Sequence, residues 1–105
     1  MRVRRLNIRI PNRKIIYQNM KIGTIQQRNT ADVNSNMQRL AKGIEELANN
    51  GAELIVLQEL HNSLYFCQVE SVSNFDLAET IPGPSTDFFG ALARKHNVVI
   101  VTSLF

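Results

Sequence analysis

Three side chains that occur in thiol hydrolases lie close together in the segment LIVLQELHNSLYFCQ, residues 54–68. Glu59 has the chemistry of a general base, His61 that of an acid–base group, and Cys67, the only cysteine, that of a nucleophile. A catalytic cysteine needs a helix N-terminus or a cationic neighbour to stabilise its thiolate, and the surrounding LYFCQ offers neither. Cys67 is therefore predicted to be a buried apolar side chain, and a Glu-His-Cys site within this segment is not favoured.

Glu59 has the more informative position, because it follows the near-continuous apolar run LIVL. Such a run is typical of a strand covered on both faces, and functional groups of α/β folds gather just past the carboxyl ends of strands. Partial desolvation there favours the protonated carboxyl, which suits a general base near neutral pH. The alternative is a surface glutamate that caps a loop or pairs with a lysine. His61 is predicted to lie in a loop, and His96 to pack near the C-terminus of a helix.

The elements that position Glu59 are indicated by periodicity. The segments KIGTIQQ, ELIVLQ and VVIVTSLF are predicted strands, the last two buried, and a short strand is predicted near DLAET. Apolar residues at helical spacing predict a first helix, which Thr30 or Asp32 caps and Gly51 ends. Its apolar positions are Val33, Met37, Leu40, Ala41, Ile44, Leu47 and Ala48.

A second helix, DFFGALARKHN, is predicted after the PGPS turn, with Ser85 or Thr86 as its cap. The order β-α-β-loop-α-β predicts an α/β layered fold. Two helices are too few to cover both faces of its sheet, and a strand runs to Phe105. The sequence therefore reads as the front part of a longer domain.

Charge is unevenly distributed. Residues 1–21 carry seven basic groups and no acidic one, whereas the other 84 residues carry five basic and nine acidic groups. The basic head, residues 1–19, has three interpretations: an extension that is not native to the domain, an organellar targeting segment, or an arm for nucleic acid or anionic lipid. Met20 favours the extension, because MKIGTIQQ looks like the usual beginning of a protein whose first element is a strand. All three place residues 1–19 outside the core fold and residues 20–105 within one domain.

Length and composition narrow the classes of protein. The 105 residues allow one small domain, and the longest apolar runs are far shorter than the roughly 20 residues of a membrane helix. A single cysteine fits a reducing compartment, and the cytoplasm is the expected location. No metal-ligand spacing and no phosphate-binding glycine motif is present, so no cofactor is expected.

The segments LQELHNSLYFCQ and IPGPST carry a specific resemblance. Residues 20–105 resemble the N-terminal part of a carbon–nitrogen hydrolase of the nitrilase superfamily, most similar to the N-carbamoylputrescine amidase branch. The resemblance implies an α-β-β-α sandwich and a Glu-Lys-Cys mechanism acting on a small carbamoyl amine. It implies that Glu59 is the general base, that Tyr65 and Phe66 lie near the substrate pocket, and that the parent enzyme is a homo-oligomer.

The same resemblance implies that the chemistry is incomplete in this chain. In the family the nucleophilic cysteine and the lysine come later than the region covered here, so Cys67 is not the nucleophile. The chain by itself is predicted to have no amidase activity. Two other functions remain open: a non-catalytic α/β binding module whose basic arm holds nucleic acid or an acidic partner, for which no binding motif is evident, and a small hydrolase using Cys67.

Overall fold

The computed structural model describes residues 2–8, 18–66 and 70–105. Their strands and helices alternate as the sequence predicts, which confirms the α/β class. In chain order the elements are β1 (Arg2–Ile8), β2 (Gln18–Ile25), α1 (Val33–Asn49), β3 (Leu54–Leu57), a 3₁₀ helix (Val72–Leu77), α2 (Pro84–His96) and β4 (Val99–Val101).

The four strands form one sheet in the order β1-β2-β3-β4. β2, β3 and β4 are parallel, with Ile25 opposite Leu57 and Ile55 opposite Ile100. Parallel neighbours require crossover connections, which α1 and α2 supply. The carboxyl ends of these strands therefore lie at one edge of the sheet, where the loop after β3 begins.

β1 has no counterpart among the strands predicted from the sequence. This strand pairs antiparallel with β2, from Arg2 opposite Thr24 to Ile8 opposite Gln18. It lies at the edge of the sheet, where charged residues are tolerated, and the side chains of Arg2 and Arg4 are exposed. Residues 9–17 fall outside the described residues, and the core cluster begins only at Ile25. The assignment of residues 1–19 to an extension outside the core fold stays a prediction.

α1 has the boundaries and caps that its sequence predicts. Asp32 is the N-cap, and its Oδ1 accepts a hydrogen bond of 3.1 Å from the Ser35 amide. Gly51 follows the helix at φ +85°, a conformation that glycine adopts without steric cost. The amide of Gly51 donates to the Ala48 carbonyl at 2.9 Å, which ends the helix.

The core lies between the sheet and the two helices. Leu40, Ile44 and Leu47 of α1 and Phe89 of α2 pack against one face of the sheet, which presents Ile25, Ile55 and Leu57. The side chains that alternate with these along each strand point to the other face of the sheet. On that face Val99 is 61% exposed and Val101 is 47% exposed. Within the described part of the chain, helices thus cover only one face of the sheet.

Three details differ from the sequence predictions. The buried strand predicted over VVIVTSLF is shorter and more exposed, because no described element covers the outer face of β4. No strand forms near DLAET. The Glu79 amide donates one hydrogen bond to the Phe105 carbonyl at 2.8 Å, but a single bond does not make a strand pair. α2 begins at Pro84, and its N-cap is Gly83 instead of Ser85 or Thr86. None of the helices in the described ranges is long and apolar enough to cross a membrane.

Candidate active site

The loop that carries Glu59, residues 58–63, is held by hydrogen bonds to its backbone. The side-chain amide nitrogen of Asn29, Nδ2, donates to the carbonyls of Leu60 at 3.3 Å, His61 at 3.0 Å and Ser63 at 2.7 Å. The Asn36 amide nitrogen donates to the remaining carbonyl, that of Asn62, at 3.1 Å. Four successive carbonyls are therefore satisfied by two asparagine side chains, in place of a strand or helix ladder.

Both asparagines are themselves fixed by further bonds. Asn36 lies on α1 with 0% exposure, and its Oδ1 accepts from the Thr30 amide at 2.9 Å and from Arg39 Nη2 at 2.6 Å. Gln27 Nε2 donates to Asn29 Oδ1 at 2.9 Å, and the Gln27 amide donates to Gln58 Oε1 at 2.6 Å. These bonds join the ends of β2 and β3 and the start of α1 into one network.

Glu59 stands on this loop two residues after β3, and its side chain is exposed. None of the described residues donates a hydrogen bond to its carboxylate. The prediction that Glu59 is partly desolvated is wrong for this chain, because its side chain is exposed although its neighbours Leu60 and His61 are buried. Its role as a general base stays a prediction; the position at the carboxyl end of a parallel strand is the observation that supports it.

His61 belongs to the same loop, and its side chain is completely buried, at 0% exposure. Its ring meets Phe89 edge-on, with centroids 4.8 Å apart, and neither ring nitrogen has a hydrogen-bond partner among the described residues. Desolvation lowers the pKa of His61 from its ordinary 6.5, while the negative charge of Glu79 opposes the shift. His61 is thus a packed neutral imidazole and does not extend the Glu59 site. His96 is half-buried, and its Nε2 has no hydrogen-bond partner within residues 18–66 and 70–105.

A carboxylate ties the end of the loop to α2. Glu79 Oε2 accepts from the Ser85 amide at 2.8 Å, and Glu79 Oε1 accepts from the Ser85 hydroxyl at 2.6 Å. Asn62 Nδ2 donates to Glu79 Oε1 at 3.3 Å. A carboxylate at a helix N-terminus satisfies amides that lack partners within the helix. The Glu79 carboxylate therefore caps the N-terminus of α2, a role that the sequence predicted for Ser85 or Thr86.

The two predicted pocket residues line one cavity. Tyr65 and Phe66 border a space of about 380 Å³, and Ser63, at the end of the Glu59 loop, lies in the same wall. Tyr65 is 56% exposed, and Phe66 is half-buried against Phe105, with ring centroids 5.0 Å apart. Glu59 is not part of this wall, so the described residues do not join the base and the pocket into one closed site. Cys67 lies outside the described residues.

Sequence reasoning missed the residues that hold the loop. One of them had a signal: Asn36 falls at the same helical spacing as Leu40, Ile44 and Leu47, so a polar amide sits on the apolar stripe of α1. A polar residue at such a position must find partners when buried. Asn29 has no comparable signal, because its partners are 31 to 34 residues away in the sequence.

Parallel strands, helices packed on the sheet and a carboxylate at a strand's carboxyl end define an α/β domain with its site in the place usual for that class. The profile of the carbon–nitrogen hydrolase family matches residues 21–105. The chain therefore belongs to the carbon–nitrogen hydrolase family, as its resemblance indicated.

Individual relatives agree with this assignment. A citrullinase of Francisella tularensis is 35% identical over 88 residues, which are 83% of this chain and 31% of the relative. An N-carbamoylputrescine amidase of Solanum lycopersicum is 32% identical over 85 residues, 80% of this chain and 28% of the relative. A crystal structure of a carbon–nitrogen hydrolase from Helicobacter pylori G27 superposes with a TM-score of 0.75 and 34% identity, covering 82% of this chain and 30% of that one. The chain thus spans only about 30% of the length of these relatives.

Proposed function

We propose that this chain is the base-bearing part of a carbon–nitrogen hydrolase that acts on N-carbamoyl amines, with Glu59 as the general base. The observation that carries the proposal is the exposed Glu59 carboxylate at the end of β3, on a loop whose four following carbonyls are all bonded. A general base must lie within hydrogen-bond reach of the proton it removes, so a fixed backbone at this point is what the role requires.

The substrate class follows from the relatives. Citrulline and N-carbamoylputrescine, the substrates named for two of them, both carry a carbamoyl group on an amine. We take N-carbamoylputrescine as the first candidate, which would place the parent enzyme in polyamine biosynthesis. The parent is proposed to be a cytoplasmic homo-oligomer, with Tyr65 and Phe66 near its substrate pocket.

The proposed reaction needs three groups. Glu59 removes the proton of a cysteine thiol, the thiolate attacks the carbamoyl carbon, and a lysine with a backbone N–H stabilises the oxyanion. The amine leaves with a proton, and Glu59 then activates a water molecule that hydrolyses the carbamoyl-enzyme. One substrate and one water thus give the amine, carbon dioxide and ammonia.

Neither partner of Glu59 is supplied by these 105 residues at the positions that the family uses. The lysines of the chain are not at the position of the family's lysine, and Cys67 is only eight residues after Glu59, too early for the family's nucleophile. The lysines are Lys14, Lys21, Lys42 and Lys95. Loss of the nucleophile alone removes most of the activity of such a unit. We therefore propose that the chain alone has no amidase activity.

A chimera tests the role of Glu59. The complete chain is joined at Phe105 to the segment of the tomato amidase that follows the matched region, and ammonia release from N-carbamoylputrescine and from citrulline is measured. The chimera is expected to hydrolyse at least one of them. Glu59→Gln should lower kcat by about 10²-fold or more, since positioned acid–base groups contribute roughly 10²–10⁴. The chain alone should release no ammonia.

Glu53→Gln is the matched control, because Glu53 is also exposed but precedes β3 at the opposite end of the strand. Its kcat should stay within about twofold of the unmodified chimera, as expected for a surface change far from the chemistry. Circular dichroism and gel filtration establish that each chimera is folded. A folded chimera that hydrolyses neither compound, or a Glu59→Gln chimera with unchanged kcat, would contradict the proposal.

A further inference from the structure

The Asn29 side chain makes an unusual number of contacts with the Glu59 loop. Its amide has two hydrogens but reaches three carbonyls, at 2.7, 3.0 and 3.3 Å, so at least one hydrogen is shared. The orientation of the amide is fixed because its Oδ1 accepts from Gln27 Nε2 at 2.9 Å. Asn29 comes from the segment between β2 and α1 and therefore joins this segment to the loop after β3.

The backbone that Asn29 holds is strained. Leu60, the residue next to Glu59, has φ +48°, in the left-handed region. A side chain with a Cβ comes too close to the following carbonyl oxygen there, so the conformation is unfavourable for leucine. Such a conformation persists only where its surroundings determine it. The carbonyl of Leu60 is one of the three that Asn29 binds, so Asn29 acts directly on the strained residue.

The direction of the Glu59 side chain depends on this backbone. In the described part of the chain no donor reaches its carboxylate, and the side chain is exposed. What sets its place is the course of residues 58–63. A shift of that backbone would therefore move the carboxylate with nothing to correct it, whereas proton transfer needs a heavy-atom distance of about 2.6–3.2 Å.

We propose that Asn29 is a positioning residue for Glu59: its amide holds the strained loop so that the carboxylate points at the proton it removes. This inference rests on the proposed function for its catalytic consequence. Asn36 also bonds the loop, but it bonds Thr30 and Arg39 as well, so its removal would disturb the start of α1. Asn29 is the residue whose change isolates the effect on the loop.

The test uses the chimera described above with Asn29→Ala and Asn29→Asp. Both remove the donors, and the aspartate also places a carboxylate against three carbonyl oxygens. The exchange of backbone amides at residues 59–63 is measured by mass spectrometry, and kcat and KM are measured with kcat normalised to the folded fraction. Asn49→Asp is the matched control, since Asn49 is exposed at the far end of α1.

We expect faster amide exchange at residues 59–63 in both Asn29 variants, with kcat lowered about 10- to 100-fold and KM within about twofold, because misplacement by about 1 Å can cost 10²-fold. The Asn49 variant should change neither quantity. A merely structural role would reduce the folded fraction and leave the normalised kcat unchanged, and that result would overturn the proposal. So would unchanged exchange at residues 59–63.

The exchange measurement also separates the two proposals. A folded chimera with the native Asn29 that hydrolyses no carbamoyl amine would refute the proposed function. Amide exchange at residues 59–63 would then alone decide whether Asn29 fixes the loop, and faster exchange in both Asn29 variants would support it. If Asn29→Asp does not fold, Asn29→Ala carries the comparison, because it adds no charge.

Discussion

Acidification from pH 7.5 to pH 5.5 is predicted to destabilise this chain through His61. The imidazole is fully buried against Phe89, and in the described part of the chain neither of its nitrogens has a hydrogen-bond partner that would favour the charged form. Desolvation lowers the pKa of His61 below 6.5, against the opposing negative charge of Glu79. The folded state therefore keeps a neutral ring at a pH where the unfolded chain already binds a proton.

The sign follows from linkage. Because the unfolded state binds more protons in this range, the free energy of unfolding rises with pH, and the contribution of His61 is lost as the pH falls through and below 6.5. If the buried ring stays neutral at pH 5.5, the loss between pH 7.5 and 5.5 is about 1.4 kcal/mol. The charge of Glu79 opposes the shift, so this figure is an upper bound.

Urea unfolding of the chain at the two pH values measures this loss. With a slope near 1 kcal/mol per molar urea for a small protein, the midpoint should fall by at most about 1.4 M. His61→Leu removes the titrating group without breaking a hydrogen bond, so its midpoint should depend much less on pH. His96→Gln is the control, because the chain contains only these two histidines. A pH dependence that survives in His61→Leu and disappears in His96→Gln would refute the reasoning.

Two further predictions concern the approach to α2. A Cβ at Gly83 would collide with the Thr80 carbonyl oxygen, whereas one at Gly90, within α2, would meet none of the described residues within 4 Å. Gly83→Ala should therefore destabilise the chain by about 1–3 kcal/mol and Gly90→Ala stabilise it by about 0.5–1 kcal/mol, as thermal unfolding would show; equal effects would contradict this. Glu79→Gln keeps the shape of the side chain but loses the charge that accepts from the amide and hydroxyl of Ser85, and should lower the free energy of unfolding in urea by about 1–2 kcal/mol. Ser85→Ala is the comparison, because it removes only the hydroxyl donor. An equal loss in Ser85→Ala would contradict the role given to the charge.

Periodicity was enough to predict most of the fold. The apolar spacing of α1, the Asp32 cap and the Gly51 end each depend on residues within a few positions of one another, and all three are confirmed. The strand β3 was evident for the same reason. β1 was missed because the basic, acid-free head was interpreted as an extension outside the core fold, although an edge strand can carry such charges on its exposed side.

The candidate site was less predictable, because the bonds that shape it are not local. Glu59 was recognised from its place after a buried strand, but the asparagines that hold its loop act across 26 to 34 residues. The exposure of Glu59 was also missed. Position along a strand predicts the edge of the sheet at which a side chain lies, but the burial of that side chain depends on what else packs there.

The two failed expectations of burial have a common structural basis. Glu59 at the carboxyl end of β3 and Val99 and Val101 on the outer face of β4 were both expected to be covered, and both are exposed. No described element packs on the outer face of β4, and none of the described residues donates a hydrogen bond to the Glu59 carboxylate. Both expectations were drawn from the apolar sequence of a strand, whereas burial is set by the elements that pack on the strand and beyond its end. The backbone position of Glu59 does not depend on such cover, because side chains from the β2–α1 segment and from α1 bond the carbonyls that follow it.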